Sequence, residues 1–204
     1  MTAQGEGRVI VLNGASSSGK SSVARELQRL LPEPYLFVGI DSFLPMLRPD
    51  GHIGMLWQQR TNDNSGGDEA PLLWVFPEQE GGPVRIEFNA AGQRLIRGMH
   101  RSIAALALEG NDVIFEHVLL YPEWADDMRG ALAGIAVTYV GVRCPVELLN
   151  EREWARAGRV VGQARGHCDV VHTNMTYDLE VDTSTMSAEE AAAVIAAYLA
   201  SVSR

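Results

Sequence analysis

The stretch RVIVLNGASSSGKSS, residues 8–22, constrains this chain more than any other. Its first six residues are an apolar, β-branched run that meets glycine, as a strand buried in a parallel sheet does. A serine-rich turn lies between Gly14 and Gly19. From Lys20 to Leu31 the apolar positions Val23, Leu27, Leu30 and Leu31 then recur at helical spacing until Pro32 stops the run. A strand delivered into a helix through such a turn is a building unit of α/β domains.

Lys20 is the only lysine of the chain; the other sixteen of its seventeen basic residues are arginine. It stands inside Gly14-Ala15-Ser16-Ser17-Ser18-Gly19-Lys20-Ser21, which fits the phosphate-binding pattern G-x-x-x-x-G-K-[ST], and Ser22 extends the loop. The glycines let the backbone close around phosphate oxygens with its N–H groups pointing inward, and the helix N-terminus adds partial positive charge. The spacing predicts a nucleotide held through its phosphates by residues 14–22, and the loop alone does not separate kinases from GTPases or ATP-driven machines. Lys20 reaches the β- and γ-phosphates, and the Ser21 hydroxyl faces Mg²⁺. A compact ammonium fits this narrow turn where a planar guanidinium does not, which accounts for a lone lysine among arginines.

The rest of the chain repeats the alternation. Strands are expected at 35–41 (YLFVGID), 112–118 (DVIFEHV), 136–144 (AVTYVGVRC) and 177–184 (YDLEVDTS). A helix is expected over 93–109 through Leu95, Ile96, Met99, Ile103 and Leu106. Ser187 and Glu190 form a capping box for a last helix carrying Val194, Ile195, Tyr198, Leu199 and Val202. This alternation predicts one α/β domain over 1–204, three-layered, with a mostly parallel central sheet and helices on both faces. Residues 45–91 break the rhythm. They are rich in Gly and Pro and carry Trp57, Trp74 and Phe76, and we read them as an insertion on the acceptor side. The three aromatics fit either stacking on a flat substrate or a small local core.

A net charge of −9 argues against nucleic acid as the main partner while leaving room for a small anionic ligand in a local field. Cys144 and Cys168 are too few for a disulfide framework and read as free thiols. No apolar stretch reaches membrane-spanning length, so the expectation is a cytoplasmic protein with no membrane partner.

Three acidic or basic features could do chemistry. Asp41 is expected at the end of the second strand, the sheet edge where ligands of parallel sheets gather. It fits a base that takes the proton of an attacking hydroxyl, and equally a helix N-cap before FLPML. Glu116 closes the apolar run VIF, where an acidic residue can hold Mg²⁺; a solvated strand end is the plainer reading. His117 beside it reads as a packing or hydrogen-bonding residue, as does His172. Arg152, Arg156 and Arg159 fall on one stripe if their segment is helical, and 143–165 holds five arginines against three glutamates. Like charges so spaced weaken a helix, which suits a lid over 145–168 closing on triphosphate; an exposed face bridged by Glu153 is the alternative.

Taken together, GASSSGKS, LPEPYLFVGIDS, YVGVRC, REWARAGRVVG, VVH and YDLEVDT resemble the chloramphenicol phosphotransferase family of small P-loop kinases. The likeness covers the first 44 residues and about 111–184. It implies a P-loop kinase-like fold and ATP-dependent phosphorylation of a hydroxyl on a small-molecule antibiotic, as self-resistance. It also implies Asp41 as base, with Arg152, Arg156 and Arg159 as lid arginines on the transferred group. Two departures stand out: Glu116-His117 replaces a pair of aspartates, and the middle region is longer, which leaves the acceptor open. Two further classes fit the loop. One is a primary-metabolite kinase, against which the acidic excess of 45–91 counts. The other is a non-catalytic nucleotide-binding regulator or sequestering protein, which needs no base.

Overall fold

The first strand ends up at the centre of the molecule because both of its faces are apolar. In the computed structural model β1 (Arg8–Asn13) is followed by α1 (Lys20–Leu30), β2 (Tyr35–Gly39) and the short α2 (Ile40–Phe43). Three strands come next: β3 (Trp57–Gln59), β4 (Leu73–Pro77) and β5 (Val84–Phe88). The long α3 (Ala90–Leu108), β6 (Asp112–His117), α4 (Pro122–Ala131) and β7 (Ala136–Arg143) continue the chain. It closes with α5 (Val146–Trp154), α6 (Gln163–Cys168), β8 (Leu179–Asp182) and α7 (Ala188–Val202). The structure describes residues 5–43, 46, 57–59, 73–77, 83–155, 162–168 and 170–202.

Five strands form a sheet in the order β2-β6-β1-β7-β8, parallel at every pairing. Register places Asn13 beside His117 on one side and Gly141 on the other, so the turn after β1 emerges between the carboxyl ends of β6 and β7. Alternation along β1 divides the core. Val9 and Val11 face α3 and α4 through Ile96, Met99, Ile103, Trp124 and Met128. Ile10 and Leu12 face α1 and α7 through Val23, Leu27, Ala191 and Ile195. Each such side chain contributes about 1.5–3 kcal/mol on burial. Helices thus cover both faces of a parallel sheet, as the alternating pattern predicted. A second, three-stranded sheet joins β3 parallel to β4 and β4 antiparallel to β5, within the segment read as an insertion. What the side chains of Trp57, Trp74 and Phe76 do lies outside the described residues.

The ends of the elements follow local chemistry. The expected capping box is present: Glu190 Oε2 accepts from Ser187 N at 2.8 Å, and Ser187 Oγ from Glu190 N at 3.2 Å. Helix α3 begins at an Asn89 cap whose Oδ1 accepts from Ala91 N and Gly92 N, both at 2.9 Å. One expectation is corrected. Asp41 does not end the second strand; β2 stops at Gly39, and Asp41 lies in the first turn of α2. The amide of Gly39 donates to Ser42 Oγ at 3.3 Å, drawing the chain out of the extended path.

A buried polar chain fastens β6 to α3 and α4. Val118 N–H donates to His117 Nδ1 at 2.8 Å, which puts the proton of that ring on Nε2. His117 Nε2 meets His100 Nε2 at 2.8 Å, and His100 Nδ1 meets Asp127 Oδ2 at 2.7 Å. One proton per ring satisfies the whole chain, and a second would set two N–H groups head to head. Burial is the main cause that holds both histidines below their ordinary range, with the Asp127 carboxylate opposing it at His100. Arg101 hydrogen bonds push Asp127 down to about 2, helped by His100. Folded-state values below the unfolded 6.5 mean that the unfolded chain binds the extra protons first. Stability from this pair is therefore present above that pH and lost as the pH falls. The urea midpoint is expected to drop between pH 7.5 and 5.5, and the apolar double variant His100→Leu/His117→Phe to lose most of that slope. A slope equal to the parent's would contradict the assignment.

Candidate active site

Residues 14–21 form a tight loop of the shape that can cradle phosphate, and the surrounding fold holds it at several points. Gly14 passes against β7 so closely that a Cβ would lie 2.4 Å from the Val142 carbonyl oxygen. Ser17 and Gly19 adopt φ values of 64° and 89°, left-handed conformations that turn successive N–H groups toward one concavity. For glycine this is free, whereas for Ser17 it costs about 1–2 kcal/mol. Just before the turn, buried Asn13 ties both flanks. Its Nδ2 donates to Val171 O and Tyr177 Oη, each at 2.7 Å, and its Oδ1 accepts from Leu119 N at 3.1 Å.

Helix α1 starts at Gly19 with no side-chain cap and no acidic residue in its first turn. No acidic side chain of the helix thus balances the positive end of its dipole, which suits an outside anion. The hydroxyl oxygens of Ser16, Ser17 and Ser18 are buried and without hydrogen-bond partners among the described residues. Buried polar atoms are ordinarily paired, so three together mark a place built for acceptor oxygens from elsewhere.

Lys20 is 3% exposed, and its Nζ donates to the carbonyls of Gly14 at 3.0 Å and Ala15 at 2.7 Å. The same Nζ stands 3.9 Å from Glu116 Oε1. Ser21 Oγ donates to Glu116 Oε2 at 2.7 Å. The sequence singled out Lys20, Ser21 and Glu116 separately, and the structure brings them to one point. A hydroxyl and a carboxylate side by side are hard oxygen ligands of the kind Mg²⁺ takes. Among the described residues no group of three or more His, Cys, Asp or Glu side chains could hold a metal alone.

Asp41 lies on the exposed face of α2, two residues beyond Gly39, the register partner of Glu116. It therefore sits at the sheet edge that carries the cradle. Arg152 donates to Thr183 Oγ1 at 3.0 Å and Thr183 O at 2.7 Å, and so to the residue that itself bonds Ser18 O of the loop. Helix α5 ends at Trp154, and Arg156 and Arg159 lie outside the described residues. His117 has both ring nitrogens occupied in the buried chain and takes no part in the site. His172, brought to about 4 by burial, hydrogen-bonds Tyr177 Oη at 2.7 Å.

Sequence reasoning passed over Thr183 and gave Glu153 a different task. Thr183 donates to Ser18 O at 2.9 Å and packs on Gly19, so the loop after β8 braces the cradle. Glu153, 1% exposed, accepts from Gly162 N at 2.7 Å and Ala164 N at 2.9 Å, tying α5 to the start of α6. The sequence places Thr183 inside the expected strand 177–184, whereas β8 stops at Asp182. Nothing local marked Glu153, which the sequence offered as a bridge for lid arginines.

The chain is similar in sequence and in fold to known proteins. A Mycobacterium tuberculosis protein named "Putative O-phosphotransferase Rv2636" is 31% identical over 195 residues, 94% of this chain and 82% of its own length. In structure, the M. tuberculosis APS kinase CysC, solved with AMPPNP and APS, superposes with a TM-score of 0.65 at 20% identity, covering 95% of this chain and 98% of that one. A Sinorhizobium meliloti gluconokinase gives 0.57 at 18% identity, covering 98% of both chains. The Deinococcus radiodurans tunicamycin resistance protein gives 0.60 at 17% identity, covering 95% of both. These likenesses show the fold, that of P-loop kinases. The profile of the family described as "Chloramphenicol phosphotransferase-like protein" matches residues 7–200. Sequence and fold together support a phosphotransferase, and the chain belongs to the chloramphenicol phosphotransferase-like family.

Proposed function

We propose that this protein is a Mg²⁺-dependent kinase that moves the γ-phosphoryl group of ATP to a hydroxyl of a small natural product, with antibiotics the first class of acceptor. One observation carries the reading: Lys20, Ser21 and Glu116 converge at a loop whose three seryl hydroxyls have no partner among the described residues. The family's description supports an antibiotic acceptor.

Each residue then has a task. The loop amides and the Ser16–Ser18 hydroxyls bind phosphate oxygens, and Lys20 Nζ leaves its two carbonyls for the β- and γ-phosphates. Ser21 and Glu116 would hold Mg²⁺, which supplies charge neutralisation on the phosphates when bound. Asp41 takes the hydroxyl proton as the acceptor oxygen bonds to the γ-phosphorus and the bond to the departing ADP oxygen breaks. Arg152, Arg156 and Arg159 neutralise the group in flight; for Arg152 this requires release from Thr183. The protein works as a single kinase domain of the cytoplasm, with 45–91 forming the acceptor side and 145–168 the lid.

Incubation with ATP, Mg²⁺ and a panel of hydroxylated antibiotics, read by mass, is expected to give a product one phosphate heavier. A panel that stays unmodified while sugars or carboxylated metabolites are phosphorylated would replace the acceptor class. Asp41→Ala is expected to keep ATP affinity within about twofold and to slow transfer by about 10²–10⁴. Transfer at the parent rate would remove Asp41 as base. Lys20→Arg, although it keeps the charge, is expected to cut turnover by about 10² or more. Full activity in that variant would contradict the steric argument for lysine.

A further inference from the structure

Helix α6 meets the phosphate loop at a side chain that no motif marks. His167 is 3% exposed, and its Nδ1 accepts the main-chain N–H of Ser16 at 3.4 Å. Ser16 directly follows Gly14 and Ala15, whose carbonyls hold the Lys20 ammonium. The imidazole therefore stands at the end of the loop where the lysine works. Ser17, next along, is the strained residue with φ 64°. A strained backbone persists only when its surroundings over-determine it, and a tie at the preceding amide is such a restraint.

Helix α6 is itself anchored on two sides. Glu153 in α5 accepts from Gly162 N and Ala164 N at 2.7 and 2.9 Å. On the other side, Val84 N of β5 donates to Gly162 O at 2.9 Å. A Cβ on Gly166 would fall 2.0 Å from the Val84 carbonyl oxygen, so α6 lies directly on the β5 backbone. His167 thus connects the phosphate loop to an element fixed both to α5 and to the small sheet.

We propose that His167 is a positioning residue: by accepting from Ser16 N it holds the phosphate loop in register with α6, and through α6 with β5. The inference rests on the phosphotransferase reading and adds a residue which that reading does not use. The tie runs between two parts of the protein and touches no reacting atom. Its loss therefore weakens ground-state and transition-state binding alike, raising the nucleotide KM with little change in kcat.

The test is calorimetric titration of ATP with Mg²⁺ into the full chain and its variants, with turnover and thermal midpoints measured on the same samples. His167→Leu removes the acceptor, whereas His167→Asn keeps one at the δ position. The Leu variant is expected to bind ATP about tenfold more weakly, the worth of one hydrogen bond, and the Asn variant to stay within about twofold of the parent. Turnover at saturation is expected within about threefold of the parent in both. If the Leu variant does not fold, His167→Gln, which moves the acceptor to the ε position, carries the same expected loss. Parent-like affinity without the δ acceptor overturns the inference alone. So does an Asn variant as weak as the Leu variant at an unchanged thermal midpoint. A parent that binds no ATP overturns the phosphotransferase reading, and the inference with it.

Discussion

One buried ammonium sets the terms for the rest of this molecule. Taking a charge out of water costs several kcal/mol unless it is paired and hydrogen-bonded. Lys20 meets that demand with two backbone carbonyls, with Glu116 at 3.9 Å as the nearby carboxylate. It also sits at the positive end of a helix with no side-chain cap and beside three hydroxyls without partners among the described residues. Positive potential is thus concentrated at one spot of a chain whose net charge is −9. The arrangement is balanced by an anion with several oxygens, and a triphosphate tail is such an anion.

Keeping that geometry requires the loop to be held from every direction. The central position of β1 supplies the base, with Asn13 bonded to segments after β6 and before β8. Val142 limits the approach on one side, and Thr183 binds Ser18 from above β8. Glu116 closes the underside by binding Ser21. The buried His117–His100–Asp127 chain lies directly behind Glu116 and fixes the strand that presents it. A catalytic reading of His117 would miss this: its nitrogens are already committed, and its contribution is to the strand.

Much of this is legible in the sequence, because strand and helix periodicities are local. The run before Gly14, the helix after Lys20 and the Ser187–Glu190 box all announce themselves within a few residues. Asp41 shows the limit. YLFVGID reads as one extended run, and nothing in its hydropathy reveals that Ser42 captures the Gly39 amide and bends the chain into α2. The cradle's braces were less visible still. Ser16 and His167 are 151 positions apart, Ser18 and Thr183 are 165, and such pairings leave no spacing pattern to read. The six-residue α6 is too short for a periodic signal, and the strands β3–β5 lie in a Gly- and Pro-rich segment whose composition resembles a loop.

The most direct measurement is a crystal structure with a non-hydrolysable ATP analogue and Mg²⁺. The account predicts the analogue's phosphates inside the 14–21 loop, Lys20 Nζ moved from its carbonyls onto phosphate oxygen, and the metal bound by Ser21 Oγ with Glu116 beside it. An analogue lodged elsewhere, with Lys20 still on Gly14 and Ala15, would contradict it.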